Sequence, residues 1–203
     1  MKKTITTIIV DDESNSIATL SKDLENYPEI QIIETTTSVE KAKKIIVQHQ
    51  PDLLFLDIEM PKMNGLVFLK KLMSEKPMKV VLVSSMNISV FDALHAGAVD
   101  FVKKPDMSSE NDLSLFFREL KSKIKVASIA NLKTSLAIKK IAAAKMEGTK
   151  LNKVSQKIIA IGASTGGTEA TLEILKSLPK EMPGILVTQH MPAGFTKMYS
   201  ERL

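Results

Sequence analysis

The chain has 203 residues, 44% hydrophobic and 25% charged, with a formal net charge of +5. That is ordinary globular composition, which excludes a disordered or fibrous chain. No apolar run approaches the ~18 residues of a membrane-spanning helix, and the absence of cysteine excludes disulfide scaffolds, thiolate zinc sites and cysteine nucleophiles.

The N-terminus, Met1-Lys2-Lys3, imitates the charged start of a signal peptide. The apolar stretch that follows ends in Asp11-Asp12-Glu13 without a small-residue cleavage site, so residues 4–10 read as a buried first strand and the expected location is the cytoplasm. Residues 14–26 read as a helix with Ile17, Leu20 and Leu24 on one face, 31–37 as a strand, and 38–49 as a helix burying Val39, Ala42, Ile45 and Ile46. Residues 52–57 (DLLFLD) form a continuous apolar run, the pattern of a strand covered on both faces. A helix over 66–75, a buried strand over 79–85, a helix over 88–96 ended by Gly97, and a short strand over 100–103 follow. A helix over 108–124 places Leu113, Phe116, Phe117 and Leu120 on one stripe. His49 and His95 fall in helices as surface or half-buried residues. Five βα units in succession imply a parallel sheet with helices on both faces.

The charge is unevenly spread. Residues 1–120 carry 14 Lys/Arg and 18 Asp/Glu, residues 121–155 nine Lys and one Glu, and residues 156–203 five basic against four acidic. The basic excess is one stretch, with no strand pattern and no aromatic residue to stack on a base. A solvated linker, partly helical with Ile129, Leu132, Leu136 and Ile138 on one side, is the plainer reading than a nucleic-acid patch. A second βαβ unit then begins: a strand over 157–162, a helix over 168–178, a strand over 184–189, and the start of a further helix.

Ligands of an open parallel sheet bind at the carboxyl ends of its strands. Those ends carry Asp11 and Asp12, Asp57, Ser84 and Lys104. Three converging carboxylates repel one another and call for a hard divalent cation, and an all-oxygen set suits Mg2+. The ammonium and hydroxyl beside them suit a phosphoryl group, so an aspartate that accepts phosphoryl with the help of Mg2+ is the natural hypothesis. A single such Asp is usually a cap or turn residue; the five positions together carry the signal.

Val10-Asp11-Asp12-Glu13, the run from Asp57 to Gly65, Val83-Ser84-Ser85 and Val102-Lys103-Lys104-Pro105 resemble the receiver domain of two-component response regulators, over about residues 1–125. The resemblance implies a flavodoxin-like doubly wound α/β fold with Asp57 as phosphoacceptor. It implies Mg2+ held by Asp11, Asp12, Asp57 and the backbone carbonyl of Glu59, with Ser84 and Lys104 on the phosphoryl oxygens. Phe101 matches the aromatic switch position, and the peptide bond before Pro105 is expected to be cis.

In the second half, Gly162-Ala163-Ser164-Thr165-Gly166-Gly167 lies between a strand and a helix and fits G-x-S-x-G, the pattern that exposes a serine on a tight turn. His190 ends the next strand, and in a βαβ unit both strand ends lie on one edge, so the two are brought together as a hydroxyl and its base would be. A helix cap or an anion-binding loop fits Ser164 equally, and a turn residue fits His190. Residues 161–175 and 185–203, Thr188-Gln189-His190-Met191-Pro192 included, resemble the opening of the chemotaxis protein-glutamate methylesterase domain. That resemblance implies Ser164 as nucleophile, His190 as general base and the backbone N–H of Thr165 in the oxyanion hole. It implies hydrolysis of glutamyl methyl esters, and deamidation of glutamines, on chemoreceptors. The phosphodonor would be a chemotaxis histidine kinase, and phospho-Asp57 would relieve packing of the receiver over the effector site. No nucleic acid and no membrane insertion are expected.

The family's triad includes a later aspartate, but the last aspartate here is Asp112. The expected organisation is therefore a receiver (1–125), a basic linker (126–156), and an N-terminal fragment (157–203) of an effector domain forming the opening βαβ of a second Rossmann-like unit. On that reading the chain is truncated and has no esterase activity. The alternative is a non-catalytic phospho-receiver adaptor.

Overall fold

The computed structural model describes residues 4–60, 65–85, 89–130, 157–179 and 182–203, which divide into two compact units, one up to Ala130 and one after it. The first contains β1 (Ile5–Val10), α1 (Ser14–Leu24), β2 (Ile30–Thr36), α2 (Val39–His49), β3 (Leu53–Leu56), α3 (Gly65–Glu75), β4 (Lys79–Ser84), α4 (Ser89–Ala96), β5 (Asp100–Lys103) and α5 (Glu110–Ile129). All strand pairs are parallel, in the order β2-β1-β3-β4-β5. This is the flavodoxin-like order, whose switch point lies between β1 and β3.

The continuous apolar runs became the central strands. Leu53, Leu54, Phe55 and Leu56 are all buried, as are Val80 to Val83, because helices cover both faces of a parallel sheet. One face packs Ile9, Phe55, Val81 and Val102 against Leu20 and Leu24 of α1 and Phe116, Leu120, Ile124 and Ala127 of α5. Ile17, Leu113, Phe117 and Ile45 are only half-buried. The side chain of Ser38 caps α2 by accepting from Lys41 N–H, and Ser109 caps α5 by accepting from Asp112 N–H. His49 and His95 are exposed.

Two features differ from the sequence reading. The Lys104–Pro105 bond is trans, since no peptide bond among the described residues is cis; trans is the ordinary preference of an X–Pro bond. Helix α5 runs to Ile129 rather than 124, because Ile124 and Ala127 extend its buried stripe and the ammonium of Lys79 donates to the carbonyl of Ser128 in its last turn. The proposed apolar side of the linker at Leu132, Leu136 and Ile138 lies outside the described residues.

The second unit contains β6 (Ile159–Ala163), α6 (Gly167–Ser177), β7 (Ile185–Gln189) and α7 (Phe195–Arg202). The strands pair in parallel from Ile159 with Ile185 to Ala163 with Gln189, as a βαβ unit requires. Its small core holds Leu172 of α6 with Phe195 and Tyr199 of α7, and the Tyr199 hydroxyl donates to the carbonyl of Thr168. Alternate strand residues remain exposed, Leu186 among them. No described helix is long and apolar enough to cross a membrane.

Candidate functional site

The carboxyl edge of the first sheet gathers all five strand-end residues. Asp11 follows β1 and is buried; Asp12 beside it is exposed; Asp57 follows β3 and is 2% exposed. One carboxylate oxygen from each lies within 4.8 Å of the others. The Asp57 carboxylate is held at both ends: Oδ1 accepts from Glu59 N–H at 2.9 Å, and Oδ2 accepts from the Lys104 ammonium at 2.7 Å. Lys104 Nζ also lies 3.1 Å from Asp11 Oδ2 and 4.0 Å from Glu13 Oε2. Asp11 Oδ1 accepts from Glu13 N–H at 2.9 Å, whereas Oδ2, although ion-paired, has no aligned hydrogen bond. The Glu59 carboxylate turns away to accept from Ser85 N–H.

Burial pushes Asp11 above the ordinary carboxylate range, and the Glu13 N–H and Lys104 only partly offset it. For Lys104, burial acts downward, but its hydrogen bond to Asp57 and the charges of Asp57 and Asp11 together outweigh it and raise the ammonium. Ser84 ends β4 fully buried, with no partner for its Oγ among the described residues. Phe101, in β5, is also buried. Gly65 begins α3 directly against the site: a Cβ there would stand 2.6 Å from the Asp57 carbonyl oxygen and 2.6 Å from Ile58 Cα. Only a glycine lets that helix approach the strand end so closely.

Sequence reasoning did not single out Lys123. This α5 lysine is 4% exposed, and its ammonium lies 2.8 Å from Asp100 Oδ1, 3.3 Å from Glu119 Oε1 and 5.0 Å from the centre of the Phe101 ring. Its one sequence signal was its place three residues after Leu120, on the buried stripe.

The second unit has its own cluster. Ser164 Oγ is 3.3 Å from His190 Nδ1, and both residues are exposed. The strand ends bring them together, since His190 N–H extends the ladder by donating to the Ala163 carbonyl at 2.9 Å. Thr165 follows in the turn, half-buried. Gly166, with φ 74°, takes the left-handed conformation at the start of α6. Glu169 pairs with Arg202 at 3.7 Å and Glu173 with Lys176 at 3.5 Å. Among the described residues, no carboxylate hydrogen-bonds to His190. A second residue missed by sequence reasoning is Gln189, whose amide bridges the carbonyls of Ser164 and His190.

Residues 7–114, over half of the chain, match the family model of the response regulator receiver domain. The chain belongs to the response regulator receiver family. Residues 159–203 match the model of the CheB methylesterase family. The receiver unit is similar to the response regulator domain of Thermotoga maritima CheB, at 29% identity and a TM-score of 0.58, covering 64% of this chain and 99% of that one. Over nearly its full length the chain is similar to the protein-glutamate methylesterase/protein-glutamine glutaminase 2 of Syntrophomonas wolfei, 45% identical over 199 residues. It is 42% identical over 210 residues to the corresponding protein of Syntrophotalea carbinolica. The chain spans 57% and 60% of the length of these two relatives.

Proposed function

We propose that this chain is a phosphorylation-regulated response regulator of chemotaxis, built as a receiver that ends with α5 by Ala130 rather than at 125, a linker up to 156 and a methylesterase part (157–203). The observation that carries the receiver reading is the Lys104 ammonium, 2.7 Å from Asp57 Oδ2, with a buried Ser84 hydroxyl, without a partner among the described residues, at the end of the neighbouring strand β4. Asp57 is the phosphoacceptor: a carboxylate oxygen attacks the phosphorus of a phosphohistidine, and the imidazole departs. Lys104 moves from carboxylate to phosphoryl oxygen, and Ser84 donates to a second phosphoryl oxygen. Phe101 reads the change in the strand beside it.

The donor set fits Mg2+. The oxygens are hard, three carboxylates converge, and buried Asp11 Oδ2 lacks an aligned hydrogen bond. Asp11, Asp12, Asp57 and the Glu59 carbonyl would hold the ion. When bound it supplies charge neutralisation for the incoming phosphoryl oxygens. The test is NMR of the chain with beryllofluoride and Mg2+. Resonances of Ser84, Phe101 and Lys104 are expected to shift in the parent and to stay in place in Asp57→Asn; an equal response in both refutes the assignment.

For the effector part, the Ser164–His190 contact supports acyl transfer from glutamyl methyl esters of chemoreceptors, with Ser164 as nucleophile, His190 as base and the Thr165 N–H on the oxyanion. The same attack on a glutamine amide releases ammonia. The cytoplasm is the setting, and a histidine kinase the phosphodonor. A base needs a partner that fixes its tautomer, and losing that partner alone costs about 10⁴ in rate in serine proteases. Glu169 and Glu173 are engaged elsewhere, so neither supplies that partner among the described residues; the second reading is a phospho-receiver adaptor. Methanol release from methylated receptor is therefore expected to equal that of Ser164→Ala; turnover clearly above it overturns the inactivity.

A further inference from the structure

We propose that Gln189 is a positioning residue that clamps the Ser164 turn to the His190 strand end; the inference rests on reading those two residues as an acyl-transfer pair. The ladder between β6 and β7 ends with His190 N–H on the Ala163 carbonyl. Beyond that bond no backbone pairing joins the two segments among the described residues, yet both reactive side chains lie there. The Gln189 amide spans the gap. Its Nε2 donates to the Ser164 carbonyl at 2.9 Å and to the His190 carbonyl at 3.1 Å, fixing the peptide planes that follow both residues. The Ser164 carbonyl also accepts from Gly167 N–H at 2.7 Å, closing the tight turn. Both of its lone pairs are thus used, one for the turn and one for the clamp.

The clamp carries a cost that a purely structural residue would avoid. Gln189 Oε1 is buried with no hydrogen-bond partner among the described residues. An apolar side chain facing Ala163 across the strand pair would leave no such orphan. The turn also leaves the amide room, although it is Ala163 that first demands a glycine there. A Cβ at Gly167 would lie 2.6 Å from Gln189 Oε1 and 2.5 Å from the Ala163 Cβ. The last glycine of the Gly-Ala-Ser-Thr-Gly-Gly motif is therefore needed for clearance. Because Ser164 and His190 are exposed and 3.3 Å apart, solvent competes for both, and only a fixed backbone on each side keeps them facing one another.

The test is a coupling measurement on the full 203-residue chain by 15N NMR of the His190 ring. In the parent, Ser164→Ala is expected to shift the Nδ1 resonance of His190, whose ring nitrogen lies 3.3 Å from the Ser164 hydroxyl. In Gln189→Leu, which keeps the bulk and removes both donors, the same substitution is expected to leave His190 unmoved. A merely structural role predicts a lower melting temperature with the Ser164–His190 coupling retained, and that result overturns the clamp. No response of His190 to Ser164→Ala in the parent overturns the acyl-transfer pair and the clamp with it. If Gln189→Leu fails to fold, the parent decides. The Gln189 side-chain amide is expected to exchange with solvent about tenfold or more slowly than that of exposed Gln48, and equal exchange overturns the proposal.

Discussion

Replacing Lys123 with Met tests whether the first unit depends on a charge buried beneath its outermost helix. The substitution keeps most of the aliphatic stem and removes the ammonium from Asp100, 2.8 Å away, and from Glu119, 3.3 Å away. Asp100 is 7% exposed, so its carboxylate would be left uncompensated. Breaking a buried pair from one side costs about 3–5 kcal/mol. Asp100 Oδ1 retains the hydrogen bond from Phe101 N–H and Glu119 can turn to water, which places the loss near the lower end, about 3 kcal/mol. For a unit of this size that corresponds to a fall in Tm of roughly 10–15 °C. The chain has no tryptophan and two tyrosines, Tyr27 in the first unit and Tyr199 in the second. In a Tyr199→Phe background, Tyr27 fluorescence during urea unfolding reports on the first unit alone. The double variant Asp100→Leu with Lys123→Met is expected to recover most of the loss, since an apolar pair of similar volume carries no desolvation penalty. A single-variant loss below about 1 kcal/mol, the range of a screened surface pair, would refute the reasoning.

Asp12→Ala is expected to weaken Mg2+ binding by about tenfold or more, because it removes one carboxylate from a small oxygen shell; unchanged affinity by titration calorimetry would make Asp12 a turn residue. Gly65→Ala is expected to reduce beryllofluoride binding, since its Cβ would meet the Asp57 carbonyl at 2.6 Å; wild-type binding would mean that α3 can withdraw freely. Amide exchange is expected to be faster over Ile185–Gln189 than over Leu53–Leu56, because among the described residues β7 pairs only with β6 and alternates half-buried with exposed residues, while every residue of β3 is buried between two neighbours. Equal protection would refute that ranking.

What was legible in the sequence was what repeats locally. DLLFLD announces a strand covered on both faces, and the alternation of such runs with amphipathic stretches gives the parallel sheet. A parallel sheet in turn dictates that Asp11, Asp57, Ser84 and Lys104 share one edge. Ser164 and His190 followed from the same rule applied to one βαβ unit. Lys123 and Gln189 were not legible for a common reason. A lysine at helical spacing looks like a solvated residue, and a glutamine at a strand end looks like a turn, until the partner that satisfies each is placed by another element. The end of α5 was misjudged because its last turns share the basic composition of the stretch that follows. Ala127 and the Lys79–Ser128 contact, both tertiary, decide where the helix stops.

That Lys79–Ser128 contact also fixes where the chain leaves the first unit. Lys79 opens β4 and Ser84 closes it, so the last turn of α5 is tied to the sheet edge opposite the acidic cluster. Five strand steps, about 17 Å, separate the two edges. On the proposed reading, a change at Asp57 would have to pass along the length of the strands to reach residue 130. Helix α5 covers that same length, held part-way along by Lys123 on Asp100 of β5 and at its far end by Lys79.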